Sequence, residues 1–280
     1  MCTKSLIEND ILRRLQLTEV EILKEVVRIC KENKLQYFLI GGTLLGAIRH
    51  KGFIPWDDDL DIAMPRKDYE KLLKLCEKEL DSKYYLHSYY SDREYWLPFA
   101  KIRKNGTVFE DEHITSINSH KGIYIDIFPL DNANRQKSFI QDIQAKIVKR
   151  ISNLVIQKRG LNVAEPGLVT KIILNMLKPI KLQSLTKFQT KVMSYNGRND
   201  SEYHINLGSN YNYIKQTIPK EKYYPPIKVE FEGEFYNAPN DWHYILTRIY
   251  GDYMKLPPED KRVTHNPVRL KFEGEDEIIF

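Results

Sequence analysis

Four aspartates fall within five residues in the stretch Trp56-Asp57-Asp58-Asp59-Leu60-Asp61-Ile62. Carboxylates that close repel one another and raise each other's proton affinity unless a cation neutralises them. In an extended chain residues i and i+2 share a face, so Asp59 and Asp61 project together, with Asp57 two residues upstream. Oxygen donors at that spacing suit a hard divalent ion, Mg²⁺ or Mn²⁺, especially where substrate phosphates complete an octahedron. Leu60 and Ile62 alternate with the acids and need a core to pack against, which argues against a merely solvated acidic loop. A calcium loop is excluded. Counted from Asp57, Ile62 stands where such a loop requires glycine, and Pro65 interrupts it.

A further acid, Asp126, sits in the run Ile123-Tyr124-Ile125-Asp126-Ile127-Phe128. An ionised carboxylate inside an apolar strand is costly unless it is paired or metal-bound. Two readings stay open: a structural salt bridge, or a third carboxylate joining Asp59 and Asp61. Three carboxylates on adjacent strands can hold two metal ions for in-line phosphoryl transfer. Gly41-Gly42-Thr43 follows the apolar run Gln36–Ile40, which predicts a strand-to-helix junction. Glycines there let backbone approach a phosphate, and the helix N-terminus supplies free N–H donors. Arg49, His50 and Lys51 follow, placed to meet phosphate oxygens. Lys101 and Arg103 share a strand face and offer the same, a solvated strand face being the other reading.

These residues need elements to hold them. Thr18-Glu19-Val20-Glu21 predicts a capping box that starts a helix running to about Asn33. A second helix is expected from Thr43, an extended segment over Asp57–Ile62, and a helix opened by Pro65 with acids in its first turn. Lys101–Glu110 reads as a hairpin around Asn105-Gly106, and Gly122–Phe128 as a strand. Residues 135–195 read as mostly helical and basic, broken near Gly160–Gly167. Phe231–Phe235 suggests another hairpin, and Asn240-Asp241-Trp242 opens a last helix ending by Gly251. The expected fold is α+β, a mixed sheet flanked by helices. It divides into a catalytic core at residues 1–134, a basic helical insertion at 135–200, and a C-terminal part at 201–280 that packs on the core and completes the acceptor site.

The 280 residues are 42% hydrophobic and 29% charged, enough apolar material for a real core and too much for a disordered chain. No apolar run approaches the ~18 residues of a membrane span, and Lys4, Glu8, Asp10, Arg13 and Arg14 break any secretion signal. The chain therefore reads as soluble and intracellular. Cys2, Cys30 and Cys76 make no disulfide framework and lack metal-ligand spacing; Cys30 and Cys76 read as buried thiols. The net charge of +5 is too weak to indicate nucleic acid. It is segregated, however: Arg135–Lys191 carries +10 and the remainder −5. With the apolar runs Ile147-Val148 and Ile172-Ile173-Leu174, that segment is expected to meet an anionic membrane surface; a phosphate-rich polymer and an ordinary solvated basic face are the other readings.

The block Gly41-Gly42-Thr43-Leu44-Leu45-Gly46-Ala47-Ile48-Arg49-His50-Lys51-Gly52-Phe53-Ile54-Pro55-Trp56-Asp57-Asp58-Asp59-Leu60-Asp61-Ile62 closely resembles the signature of the LicD family of phosphocholine and polyol-phosphate transferases. The resemblance continues through Arg66-Lys67-Asp68-Tyr69, Ile125–Asp131, Phe231-Glu232-Gly233 and Tyr250–Pro258, with Arg262 and His265 beyond. It implies a nucleotidyltransferase-like fold with Asp59, Asp61 and Asp126 as the metal triad, Asp57 as an accessory acid, and two Mg²⁺ or Mn²⁺ ions. Related fukutin-type transferases carry a zinc site that these cysteines do not match, so no zinc is expected. The implied donor is a CDP-alcohol, with CDP-choline ahead of CDP-ribitol and CDP-glycerol. The implied acceptor is a hydroxyl of a cell-surface glycan or teichoic acid precursor, lipid-linked at the cytoplasmic face of the membrane. Arg49, Lys51 and Lys101 are expected to hold phosphate oxygens, and His265 to serve either as an acceptor-side base or in packing. An aromatic cage for choline is one reading of Tyr84–Trp96. NTP-dependent nucleotidyl transfer is the competing enzyme class, and an anionic membrane or polymer binding module the non-enzyme alternative.

Overall fold

Leu12, Leu15, Leu23, Val26, Ile29 and Cys30 recur at helical spacing and are all buried, so the first helix, α1 (Asn9–Glu32), lays one face on the core. The computed structural model describes residues 9–111, 119–134, 138–159, 167–195, 201–262, 264 and 267–280. The capping box expected at Thr18 is absent, because Leu12 and Leu15 already belong to the buried face. Thr18 lies inside α1, where its hydroxyl donates to the Arg14 carbonyl.

Strand β1 (Phe38–Leu39) runs into α2 (Gly41–His50), which ends at Lys51 in a left-handed conformation with φ 57°. An irregular segment then leads to β2 (Asp61–Pro65), and Pro65 passes the chain into α3 (Arg66–Glu79). Only Asp61 of the four acids is therefore in a strand; Asp57, Asp58 and Asp59 precede it in the loop. There follow β3 (Tyr84–His87), β4 (Ala100–Lys104), β5 (Val108–Asp111) and β6 (Tyr124–Ala133). Helices α4 (Phe139–Lys158), α5 (Leu168–Leu177) and α6 (Leu182–Met193) come next. The C-terminal part adds β7 (Tyr203–Ile205), α7 (Tyr213–Gln216), β8 (Thr217–Pro219) and the hairpin β9 (Ile227–Phe231) with β10 (Glu234–Ala238). Helix α8 (Trp242–Tyr250), capped by the Asp241 side chain, precedes β11 (Pro267–Lys271) and β12 (Ile278–Ile279).

The central sheet has the order β1-β2-β6-β4-β3, with β7 on the far half of β6 and β8 on β7. Strands β2 and β6 run parallel and the other pairs antiparallel. The fold is α+β. The hairpin expected over Lys101–Glu110 does not form: β4 pairs with β3 and β6, whereas β5 crosses to β11. Gly106, at φ 74°, makes the turn, but the two strands separate into different sheets.

Ile123, Ile125 and Ile127 are fully buried beneath the sheet, in one core that α1, α3 and the C-terminal residues Ile218, Phe231, Leu246 and Leu270 all enter. A smaller cluster joins Trp96 to Ile151, Val155 and Leu182, tying α4 and α6 to the loop before β4. Arg66 grips the fully buried Asp131 with two hydrogen bonds of 2.7 Å, fastening α3 to β6. Among the described residues no helix is long and apolar enough to cross a membrane.

Candidate active site

Asp61 and Asp126 stand directly opposite each other on the parallel neighbours β2 and β6. Their backbones are held from several sides. The Asp126 N–H donates to the Leu60 carbonyl at 2.9 Å, and the Asp61 N–H to the Thr43 hydroxyl at 2.8 Å. Gln16 of α1 donates to the Asp57 carbonyl at 2.9 Å, so the acid loop is fixed between two helices. A Cβ on Gly42 would lie 2.5 Å from Asp57 Oδ2, and one on Gly41 3.1 Å from Asp61 Oδ2. What the glycine pair admits here is thus the two carboxylates, drawn to the positive first turn of α2.

The charge at this point is heavily one-sided. Burial pushes the Asp61 carboxyl well above the carboxylate range, and Asp59, Asp126 and Asp57 push it further, with Lys101 opposing. Lys101, directly across from Asp126 on β4, donates to Asp126 Oδ1 at 2.6 Å and lies 3.5 Å from the centre of the Tyr124 ring. Asp126 is therefore in a salt bridge. Glu19, which the sequence reading passed over as part of a helix start, is only 2% exposed on the face of α1 that carries Gln16. Its Oε2 has no hydrogen-bond partner among the described residues. Burial, then Asp59, Asp58, Asp57 and Asp126, raise its proton affinity strongly. An acid on the buried stripe of a helix was the available signal.

Among the described residues no three histidine, cysteine, aspartate or glutamate side chains are gathered to hold a metal ion. The donor type nevertheless fits a hard cation: oxygen ligands, mutually repelling, with Lys101 supplying positive charge at Asp126. The fit is one of chemistry and charge, and the ligand set is not assembled in advance.

The other expected residues divide. Arg49 donates to the Tyr253 carbonyl at 2.8 Å and to His50 Nε2 at 2.9 Å, and it feels the charge of Asp57, so the pair borders the acids. Arg262 lies over the Trp56 ring at 4.6 Å, beside the start of the acid loop. Lys51 turns away and pairs with Glu230 at 3.0 Å, because its left-handed backbone points it toward β9. Arg103 corrects the reading of a phosphate-facing strand: it is buried and donates to His87 Nδ1 at 2.8 Å and to the Gly122 carbonyl at 2.6 Å. His265 lies outside the described residues. Over Tyr84–Trp96, Tyr95 is fully buried, Trp96 packs under α4, Tyr85 stacks on His120, and Tyr89 and the half-exposed Tyr90 pair at 4.2 Å between ring centres. Tyr250, the first residue of the Tyr250–Pro258 block and given no role from sequence, is close enough to Asp61 and Asp57 for their charge to raise its phenol, after burial and Tyr211.

A mixed sheet presents carboxylates on two adjacent parallel strands beside a glycine-started helix. Residues 34–147 match the family model described as "LicD/FKTN/FKRP, nucleotidyltransferase domain". The chain is 35% identical over 264 residues to the lipopolysaccharide cholinephosphotransferase LicD of Haemophilus influenzae, covering 91% of this chain and 96% of that protein. It is also 42% identical over 48 residues to the human ribitol 5-phosphate transferase FKRP, covering 17% of this chain and 10% of that one. The chain belongs to the LicD family and is a phosphotransferase.

Proposed function

We propose that the protein transfers phosphocholine from CDP-choline to a hydroxyl of a cell-surface glycan or teichoic acid precursor, lipid-linked at the cytoplasmic face of the membrane, and releases CMP. The observation that carries this reading is the pairing of Asp61 with Asp126 across parallel strands, with Lys101 on the second carboxylate. The likeness to a cholinephosphotransferase over nearly the whole chain supports the choice of group.

In the reaction the acceptor oxygen forms a bond to the choline-bearing phosphorus. The phosphoanhydride bond breaks, CMP departs with the electron pair, and the hydroxyl proton passes to a site carboxylate, with Asp126 the one proposed. Arg49 and Lys101 orient phosphate oxygens and offset their charge. Asp59, Asp61 and Asp126, with Asp57 beside them, would hold Mg²⁺ or Mn²⁺ (two ions in this reading), which supplies charge neutralisation at the diphosphate.

The short likeness to a ribitol 5-phosphate transferase favours a second donor, CDP-ribitol, on the same site. One experiment separates the readings. Purified protein with Mg²⁺ and an acceptor glycan is given CDP-choline, CDP-ribitol or CDP-glycerol in turn, and CMP is measured. Release from CDP-choline alone, abolished by EDTA and restored by Mg²⁺, is expected. Pyrophosphate release from a nucleoside triphosphate, with no CMP from any CDP-alcohol, would overturn the proposal.

A further inference from the structure

Helix α5 buries none of its ten residues, although it is among the most apolar segments of the chain. Thr170, Leu174 and Leu177 recur at helical spacing and are partly covered, so they make the inner stripe. The opposite stripe should then be polar. Instead it carries Leu168, Val169, Ile172 and Met176, of which Leu168, Val169 and Met176 are 76%, 71% and 72% exposed. Ile180 extends it past the helix end, and Phe188 of α6 is also bare. A second apolar stripe facing outward has no place in a helix that meets water alone.

Charge points to what covers it. From Gly167 to Tyr195 the chain has five lysines, Lys171, Lys178, Lys181, Lys187 and Lys191, and no acidic residue. All five are exposed. Lys158 of α4 donates to the carbonyls of Leu177 and Lys178, at 3.0 and 3.1 Å, and so holds the end of α5 against the body of the protein. An apolar stripe bordered by lysines complements the interface of an anionic bilayer, where acyl chains take the side chains and headgroups take the ammonium groups. A second copy of the chain is a poor occupant, because a two-fold contact would set this acid-free lysine surface against itself. Ten helical residues span about 15 Å, so α5 lies in the plane of the interface and does not cross the membrane.

We propose that the outer face of α5 is a membrane-docking surface that seats the enzyme on anionic lipid. The proposal deepens the reading of a lipid-linked acceptor, but its test reads binding and not turnover.

The full chain is cosedimented with phosphatidylcholine vesicles and with vesicles containing phosphatidylglycerol, at low and high salt. Binding to the anionic vesicles is expected at low salt, weakened by salt because surface charge is screened within ~8 Å at physiological ionic strength. The double variant Val169→Asp/Met176→Asp is expected to lower the bound fraction roughly tenfold or more. CMP release with a soluble acceptor stays unchanged in that variant, and its loss in the wild type would count against the proposed reaction alone. Equal binding to both vesicle types, no binding to either, or an unaffected double variant would overturn the docking surface. So would a wild-type dimer in sedimentation velocity that the double variant dissolves, since the face would then belong to a second copy.

Discussion

Lys101 and Asp126 are direct cross-strand partners on β4 and β6, joined by a 2.6 Å hydrogen bond between side chains that are 8% and 15% exposed. The lysine sets a positive charge against one of the clustered carboxylates. Removing one partner of a buried ion pair leaves an uncompensated charge and costs about 3–5 kcal/mol. Lys101→Met is therefore expected to lower the melting temperature, and Mg²⁺ should restore more stability to the variant than to the wild type. Thermal unfolding with and without Mg²⁺ measures this. An equal Mg²⁺ effect on both would show that Asp126 does not receive a cation.

Asp59→Ala, Asp61→Ala and Asp126→Ala are each expected to lower transfer by roughly a thousandfold or more while the fold persists, since each ~1.4 kcal/mol of lost transition-state stabilisation is a factor of ten. Glu19→Gln is the contrasting case. Burial and the neighbouring aspartates favour the neutral form of Glu19, and an amide is close to a neutral carboxyl in size and polarity, so turnover and melting temperature should stay close to wild type. Initial rates of CMP release and circular dichroism melts decide both. A Glu19→Gln enzyme as inactive as Asp61→Ala would mean that Glu19 works ionised.

The clamp between Arg66 and Asp131 should behave as a unit. Arg66→Lys cannot reproduce the two parallel hydrogen bonds, and Asp131→Asn leaves the guanidinium short of its counter-charge. Each is expected to destabilise the protein by about 3 kcal/mol, and the double variant by clearly less than the sum. Urea midpoints of the four proteins give the coupling energy. Strict additivity would show that the pair adds nothing of its own.

Three histidines tie stability to pH. Burial, and for His87 and His120 the nearby Arg103, push His87 down to about 3 and His120 to about 4; burial and Lys220 push His204 to about 4. The unfolded chain takes up protons near pH 6.5 that the folded chain refuses. Their stabilising contribution is complete above that pH and is lost as pH falls toward the folded values. Urea midpoints should drop between about pH 6.5 and 4. His204→Gln should flatten that slope by roughly one proton. An unchanged slope would place His204 outside the linkage.

Local patterns sufficed for much of this. The alternation around Asp126 marked a strand, Phe231–Phe235 a hairpin, and Pro65 a helix start, because side-chain period and backbone restriction are properties of a few adjacent residues. The alternation over Asp57–Ile62 suggested one extended segment, but only Asp61 and Ile62 of it enter strand β2. Which strand lies beside which is a different matter. Asn105-Gly106 specifies a turn but not a partner, and the pairing of β5 with β11 depends on residues more than 150 positions away. Lys101 and Arg103 share one strand and one residue type of charge, yet one meets Asp126 and the other is sealed against His87. Their fates were set by what the neighbouring strands and helices brought over them. Glu19 shows the same limit from the other side. Its helix was legible, but only the packing of α1 across the acid loop made it a buried carboxyl among aspartates, since burial and electric field are sums over residues distant in the chain.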